Sequence, residues 1–460
     1  MSPFRTLATT VRASERYSRY AVATVMLGTV MGPLDGSIAN VAMPTIARFY
    51  HRGVDEAEWV LLAYMLVTAS TLVLFGRIGD IVGHKRVYQV GFGIFGLGSL
   101  LCALSPSLEA LIVMRVFQAI GAAMLVACTQ ALIVESVAPE RRGRAIGLNG
   151  AAVAVGLTAG PILGGAIIAL GDWRWIFAIN VPISLLALLA ASIVLKPTAP
   201  RREGFDPVGA LLSIVGLFAL SLALSRAHRW GWMSEATLGW IALSGAALAL
   251  FVFVERRVHA PTFDLTLFRS RIFAFSTIAA FCYFIAQSGI VFLVPLTAQL
   301  ALHATPLQAG LLLVPLTALN VALAPTAGAL SDRIPARYLS TAGAVLVAIG
   351  TLLLAHLPAL PTTLEIVLAL IATGIGTTIF SQPNNNAIMS SAPHERRGIA
   401  AGTLATARTT GQLLGVATAG AFYFAHNGGA AAGTFLPASG YFAILTFGMV
   451  AVAVLSYVRE

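Results

Sequence analysis

Charge is scarce in this 460-residue chain: Asp, Glu, Lys and Arg make up 10% of it, against about 25% in an ordinary soluble protein. Hydrophobic residues make up 58%, and the mean hydropathy is +0.85. That leaves too little polar surface to coat a water-soluble globule of this length. Lysine is nearly missing. Only Lys85 and Lys196 occur, and neither follows Gly or precedes Ser or Thr, so there is no Walker A phosphate loop and ATP-driven transport by the chain alone is disfavoured. Cysteine is sparse as well. Cys102, Cys128 and Cys282 lie inside apolar runs at no metal-ligand spacing and read as packing residues. No stretch between apolar runs is long enough for a soluble catalytic or output domain, which disfavours an enzyme or a sensor.

What the chain has instead is long apolar runs. A helix needs about 20 apolar residues to cross the hydrocarbon. Such runs fall near 20–44, 59–75, 87–104, 110–133, 145–168, 175–195, 207–226, 237–254, 272–297, 307–330, 338–357, 364–391, 398–424 and 439–457. The first follows Arg5, Arg12, Arg16 and Arg19 and is longer than a signal-peptide core of roughly 7–15 residues, so it reads as an uncleaved span. The expectation is an all-α membrane protein with 14 transmembrane helices.

The net charge of +10 does not indicate nucleic acid, because the basic residues are scattered between the apolar runs. With the N-terminus inside, cytoplasmic segments hold 22 of the 29 basic residues, outer loops hold five, and Arg115 and Arg408 fall within spans. That asymmetry predicts cytoplasmic N- and C-termini.

The chain also repeats itself. Gly76-Arg77-Ile78-Gly79-Asp80 recurs as Gly328-Ala329-Leu330-Ser331-Asp332, and Glu140-Arg141-Arg142-Gly143-Arg144-Ala145 recurs as Glu395-Arg396-Arg397-Gly398-Ile399-Ala400. Gly156, Gly160 and Gly165 fall on Gly411, Gly415 and Gly420 in the second register. Both copies lie on one side of the membrane, so the repeats are parallel: spans 1–6 and spans 9–14 form two six-helix bundles, with spans 7–8 inserted. The expected organisation is a cytoplasmic segment over 1–19, a first bundle over 20–195, a linker with the inserted spans over 196–271, and a second bundle over 272–457. A site near the midplane between the bundles follows from that symmetry, with alternating access by rocking.

Of nineteen acidic residues only Asp35 lies well inside a span. A carboxylate near the bilayer centre costs at least about 2.5–3.5 kcal/mol and usually faces a cavity or a partner. Asp35 is either a neutral acid bonded to a carbonyl or a group that carries a proton or binds a cation. At an offset of 252 its counterpart is Gln287. Arg115, with Gln118 one turn on, is its expected electrostatic partner. Gly156, Gly160, Pro161, Gly164 and Gly165 leave span 5 bare enough for close helix approach. Asp80, beside Arg77, Lys85 and Arg86, can cap span 3 or latch the two halves on the cytoplasmic side, with Glu135 as a candidate partner. Phe281, Tyr283, Phe284 and Phe380 are candidates to hold a flat cation by its face. Gln382, Asn384, Asn385 and Asn386, with Arg408, are candidate cavity residues.

These motifs resemble the major facilitator superfamily, and within it the fourteen-span drug:proton antiporters, along essentially the whole chain. Gly76 to Arg86 is similar to the superfamily's loop 2–3 signature, with Gly76, Asp80, Gly83 and Lys85 in place and His84 where arginine is usual. Arg115, Gln118 and Gly121 resemble the span 4 motif associated with proton coupling, and Gly156 to Gly165 the span 5 motif of antiporters. Leu34-Asp35-Gly36 through Pro44 resembles the span 1 motif, with Gly36 where threonine is common. Trp173-Arg174-Trp175-Ile176-Phe177 with Asn180 and Pro182 is similar to the start of span 6. In the second half Pro335 replaces an expected glycine. The resemblance implies a monomeric, multi-pass protein of the cell (inner) membrane. It would export small lipophilic, monocationic drugs or dyes against protons, with no cofactor beyond the proton gradient and membrane lipid as its surroundings. The competing expectation is a lipid or lipid-linked precursor flippase on the same scaffold.

Overall fold

The computed structural model describes residues 9–14, 16–138, 141–197, 207–257, 265–331, 333–393, 397–426 and 433–459. Asp332, Glu140, Glu395 and Arg396 of the repeated motifs, and parts of the 1–19 and 196–271 segments, lie outside these residues. Fourteen helices of fifteen residues or more are present among them: α1 Tyr17–Phe49, α2 Trp59–Val82, α3 His84–Ala103, α4 Leu108–Ser136, α5 Arg142–Ala169, α6 Asn180–Val194, α7 Pro207–Trp230, α8 Glu235–Glu255, α9 Arg271–Ala301, α10 Val314–Ser331, α11 Ala336–Ala355, α12 Thr363–Ser391, α13 Arg397–His426 and α14 Leu436–Val458. No strand occurs among the described residues.

Twelve helical segments, or thirteen with a bent pair at Val54–Leu72 and Leu74–Val82, are long and apolar enough to cross a membrane, α6 and α10 counting with the short helices Trp175–Ala178 and Pro306–Leu312 that precede them. The expected count of fourteen is therefore not reached. α13 is long enough at 30 residues, but it is absent from that set. Its Thr, Gly and Gln residues and Arg408 dilute its apolar character, as suits a helix shielded from lipid by its neighbours.

Several helix N-termini are closed by a side chain of their own cap residue. The Ser107 hydroxyl accepts from the Ala110 amide at the start of α4, and Ser234 and Ser270 do the same for α8 and α9. Thr362 and Glu365 form a reciprocal capping box on α12. Between α2 and α3 the chain turns on Gly83 at a φ of 103°, a conformation that suits glycine alone.

Two bundles of similar construction result. α1 packs along α5 and α3 along α4; α9 packs along α13 and α11 along α12. A methyl added at Gly156 would press on the Val30 carbonyl, Pro33 and the Leu34 amide; one at Gly411 would press on the Phe281 carbonyl, Phe284 and the Ile285 amide. Ser37 lies against Gly160 as Ser288 lies against Gly415. These pairs fix the α1-to-α9 offset at 251, so the counterpart of Asp35 is Ala286, not Gln287. Burial agrees: Ala286 is enclosed, while Gln287 is half-buried.

The chain ends approach one face, where Arg12 donates to the Ser192 carbonyl and Arg459 donates to Ser276, Ser340 and Asn384. At the opposite face, hereafter the far face, the halves close on each other. The Asn40 amide donates to the Val291 carbonyl at 2.7 Å, and Gln299 donates to the Val41 carbonyl at 3.1 Å. Gly165 fits against Leu307, and Gly310 against the Pro161 carbonyl, with no room for a methyl at either. The inserted pair is anchored there too. α7 lies against both α2 and α13, and its Arg229 bonds Asp55 and Glu56.

Candidate functional site

Five helices of the first bundle converge on Asp35. It is 1% exposed, and Arg115 and Gln118 are fully buried. Arg115 forms an ion pair with Asp35 through Nη1. The other carboxylate oxygen accepts from Gln118 Nε2 at 3.1 Å and from Asn180 Nδ2, on α6, at 2.8 Å. Gln118 is held in turn: its Oε1 accepts from Arg115 at 2.6 Å and its Nε2 donates to Ser99 on α3 at 2.8 Å. Arg115 Nε donates to the Val60 carbonyl of α2 at 3.0 Å. Its guanidinium lies 4.1 Å from the centre of the Tyr64 ring and 5.3 Å from that of Phe177.

The geometry assigns each partner a physical task. A lone carboxylate or guanidinium in this setting would keep an uncompensated charge out of water; together they are neutral. The arginine cannot give up its proton, so only Asp35 can change the charge of the pair. Protonating it removes the ionic contact but leaves Arg115 with the Val60 carbonyl, Gln118 and two aromatic faces. Nη2 of Arg115 has no hydrogen-bond partner, so the guanidinium retains a donor for a rearranged state. The pair joins α1 to α4, and a change in its charge acts on the packing between those helices.

The second bundle carries no such network at the equivalent place. Gly98 lies on Gln118 as Gly350 lies on Thr373, and Gly121 on Phe95 as Gly376 on Val347. That register puts Leu370 opposite Arg115 and Thr373 opposite Gln118. With Ala286 for Asp35, the equivalent positions are all buried and without charge.

The other expected site residues fall in three places. Gly156, Gly160, Pro161, Gly164 and Gly165 line α5 where it meets α1 and, at the far face, the second half: Gly164 faces Ile38 and Gly165 faces Leu307. Gly76 and Gly83 bracket the turn that carries Asp80. Asp80 sits 3.8 Å from Arg77 and 3.2 Å from His84, whose other ring nitrogen lies 3.1 Å from Glu135. Lys85 bonds the Ser192 and Leu195 carbonyls at the end of α6, and Arg86 is exposed. Among the described residues the His84 ring mediates the contact between Asp80 and Glu135.

In the second bundle Phe380 is buried, with its ring 4.8 Å from that of Tyr283, and Tyr283 also packs on Phe284. Asn384 is buried, donating to the Ser276 carbonyl and accepting from Arg459. Phe281, Phe284, Gln382, Asn385 and Gln287 are half-buried and Asn386 is exposed. Arg408 is half-buried with no hydrogen bond or ion pair among the described residues, and every residue from Leu404 to Thr410 of α13 is partly exposed. Sequence reasoning did not find Ser99, the Val60 carbonyl or Tyr64 as members of the Asp35 network. Asn180 stood in a recognisable motif, but nothing in the spacing joined it to Asp35.

The sequence matches the family model for the Major Facilitator Superfamily over residues 25–416 and again over 276–460. It is 33% identical over 404 residues to the riboflavin transporter RibZ of Clostridioides difficile (strain 630), a match spanning 87% of each chain. It is 34% identical over 397 residues to the multidrug resistance protein Stp of Mycobacterium tuberculosis (strain CDC 1551 / Oshkosh), covering 86% of this chain and 74% of that one. In fold it is similar to a crystal structure of the peptide transporter POT in complex with sulfate, with a TM-score of 0.70 at 15% identity and all of both chains covered. The chain is a multi-pass protein, all-helical among its described residues, and it belongs to the Major Facilitator Superfamily.

Proposed function

We propose that the chain is a proton-coupled secondary active exporter of small lipophilic compounds, working by alternating access in the cell membrane with both termini cytoplasmic. The observation that carries this reading is the Asp35–Arg115 pair, sealed at mid-helix inside one bundle. In the proposed orientation the far face is the outer face, so the arrangement described is closed to the outside. Rocking to the outward-facing state hydrates Asp35, protons from outside neutralise it, and substrate leaves. Return to the inward-facing state and loss of the proton to the cytoplasm restore the pair. One elementary charge crossing the membrane supplies about 2.3 kcal/mol per 100 mV.

A monocationic substrate fits a site with one carboxylate, provided it meets Asp35 when Arg115 has let go. A relative named for multidrug resistance supports export, while another named for riboflavin transport widens the range of compounds the scaffold serves. The test is a substrate panel in everted vesicles with an imposed pH gradient. Asp35→Asn is expected to abolish gradient-driven efflux of ethidium-type dyes. Unchanged efflux with an unchanged pH dependence would overturn the assignment.

Arg408 favours a second reading. An arginine at membrane depth without a hydrogen-bond or ion-pair partner among the described residues suits an anionic group, as on a lipid or lipid-linked precursor. Proteoliposomes assayed side by side for dye efflux and lipid translocation separate the two; the flippase reading requires translocation that Arg408→Gln lowers.

A further inference from the structure

Glu58 precedes α2 at the far face and is 1% exposed, as buried as Asp35. It lies where three parts of the molecule meet: the N-terminal end of α2, α13 of the second half, and the inserted α7. Its carboxylate fits directly against Gly420 of α13, and a methyl there would collide with both oxygens. Oε1 has no hydrogen-bond partner. An ionised carboxylate closed away from water with an unsatisfied oxygen is costly, and this one is enclosed only while the two halves are shut.

The charged groups around it decide the sign. Asp55 and Glu56 precede it by less than one turn. Arg229 of α7 bonds both of them, and Arg226, one turn earlier on α7, lies over the Trp59 ring at 5.3 Å. α13 meets Glu58 with Gly420; Tyr423, one turn on, is buried with an unbonded hydroxyl and no charge at neutral pH. Arg52 bridges Glu56 and Glu109 on the same face, so three acids (Asp55, Glu56, Glu109) and three bases (Arg52, Arg226, Arg229) cancel, and an ionised Glu58 would leave one uncompensated negative charge in the closed seam. In the open state the same carboxylate stands in water.

We propose that Glu58 is a proton-operated gate at the far face: the seam between α2 and α13 closes with a proton on Glu58 and opens with its release. The proton is taken from the far-face solution on closing and returned to it on opening. The gate therefore sets which conformation is populated without adding to the protons transported. It also gives the inserted helices a task, since Arg226 and Arg229 of α7 neutralise the acids beside the gate. The inference rests on the alternating-access reading above.

Spin labels at Leu104→Cys and Leu360→Cys, exposed at the far-face ends of the two halves, report the gate by double electron–electron resonance in detergent, without substrate or gradient. Gating by one proton predicts a short-to-long population ratio that falls about tenfold per pH unit once the open-state carboxyl ionises. Glu58→Gln is expected to hold the short distance across pH 5–9, and Glu58→Asp to keep the slope. The slope should persist in an Asp35→Asn background, so a failure of the proposed coupling and a failure of the gate give different results. A Glu58→Gln protein that titrates as the parent does, or a parent whose distances ignore pH, would overturn the proposal.

Discussion

In the first half Gly156 and Gly160 of α5 receive α1 at Val30, Pro33 and Ser37; in the second, Gly411 and Gly415 of α13 receive α9 at Phe281, Phe284 and Ser288. The seams match position for position, and the two glycines and the serine that fills each groove are the same in both. The interiors they enclose do not match. Where the first bundle holds Asp35, Arg115 and Gln118, the second holds Ala286, Leu370 and Thr373, all buried. The shared seam therefore serves helix packing, which both bundles need. The buried ion pair is not needed to build such a bundle, because its twin forms without one. Replacing a buried pair by well-packed apolar groups is often neutral or stabilising, so its retention in one half points to a role in the transport cycle.

The comparison can be broken first at the pair itself. Arg115→Leu, the residue its twin carries, strands the Asp35 charge and is expected to destabilise the protein by about 3–5 kcal/mol, read as a lowered unfolding midpoint in detergent. Adding Asp35→Ala and Gln118→Thr gives the first half the second half's interior. This triple variant is expected to recover most of the lost stability and none of the proton-driven efflux. Recovery of efflux would mean the pair is dispensable for coupling. A smaller effect sharpens the seam. Gly160→Ala and Gly415→Ala each push a methyl into a serine hydroxyl, so both are expected to cost about 1–3 kcal/mol from overpacking. Costs differing by more than that range would show that the two seams are not equivalent.

The seam glycines were legible in the sequence because close helix approach requires small residues at fixed spacing, and that spacing survives duplication. The partner of Asp35 in the second half was missed by one residue. Loop motifs set that register at 252, whereas the glycine contacts set α1 and α9 at 251, and one residue along a helix turns the side chain to another face. Asn180 and Ser99 carry no local pattern that ties them to Asp35; only the convergence of α3 and α6 on α1 does. Glu58 was not singled out in the sequence, because its burial depends on α13 and the inserted α7, far away in sequence. Asn384 was legible as a polar residue at depth, but its partner Arg459 sits 75 residues on. Fourteen apolar runs were legible as helices, while α13 is less apolar than a span facing lipid.

The most direct measurement is substrate-induced proton release from purified protein in lightly buffered detergent, followed with a pH-sensitive dye. If substrate and proton compete through Asp35, the parent, acidified until Asp35 carries its proton, releases protons on adding an exported dye and Asp35→Asn releases none. Equal release from both would place the exchanged proton elsewhere and contradict the account.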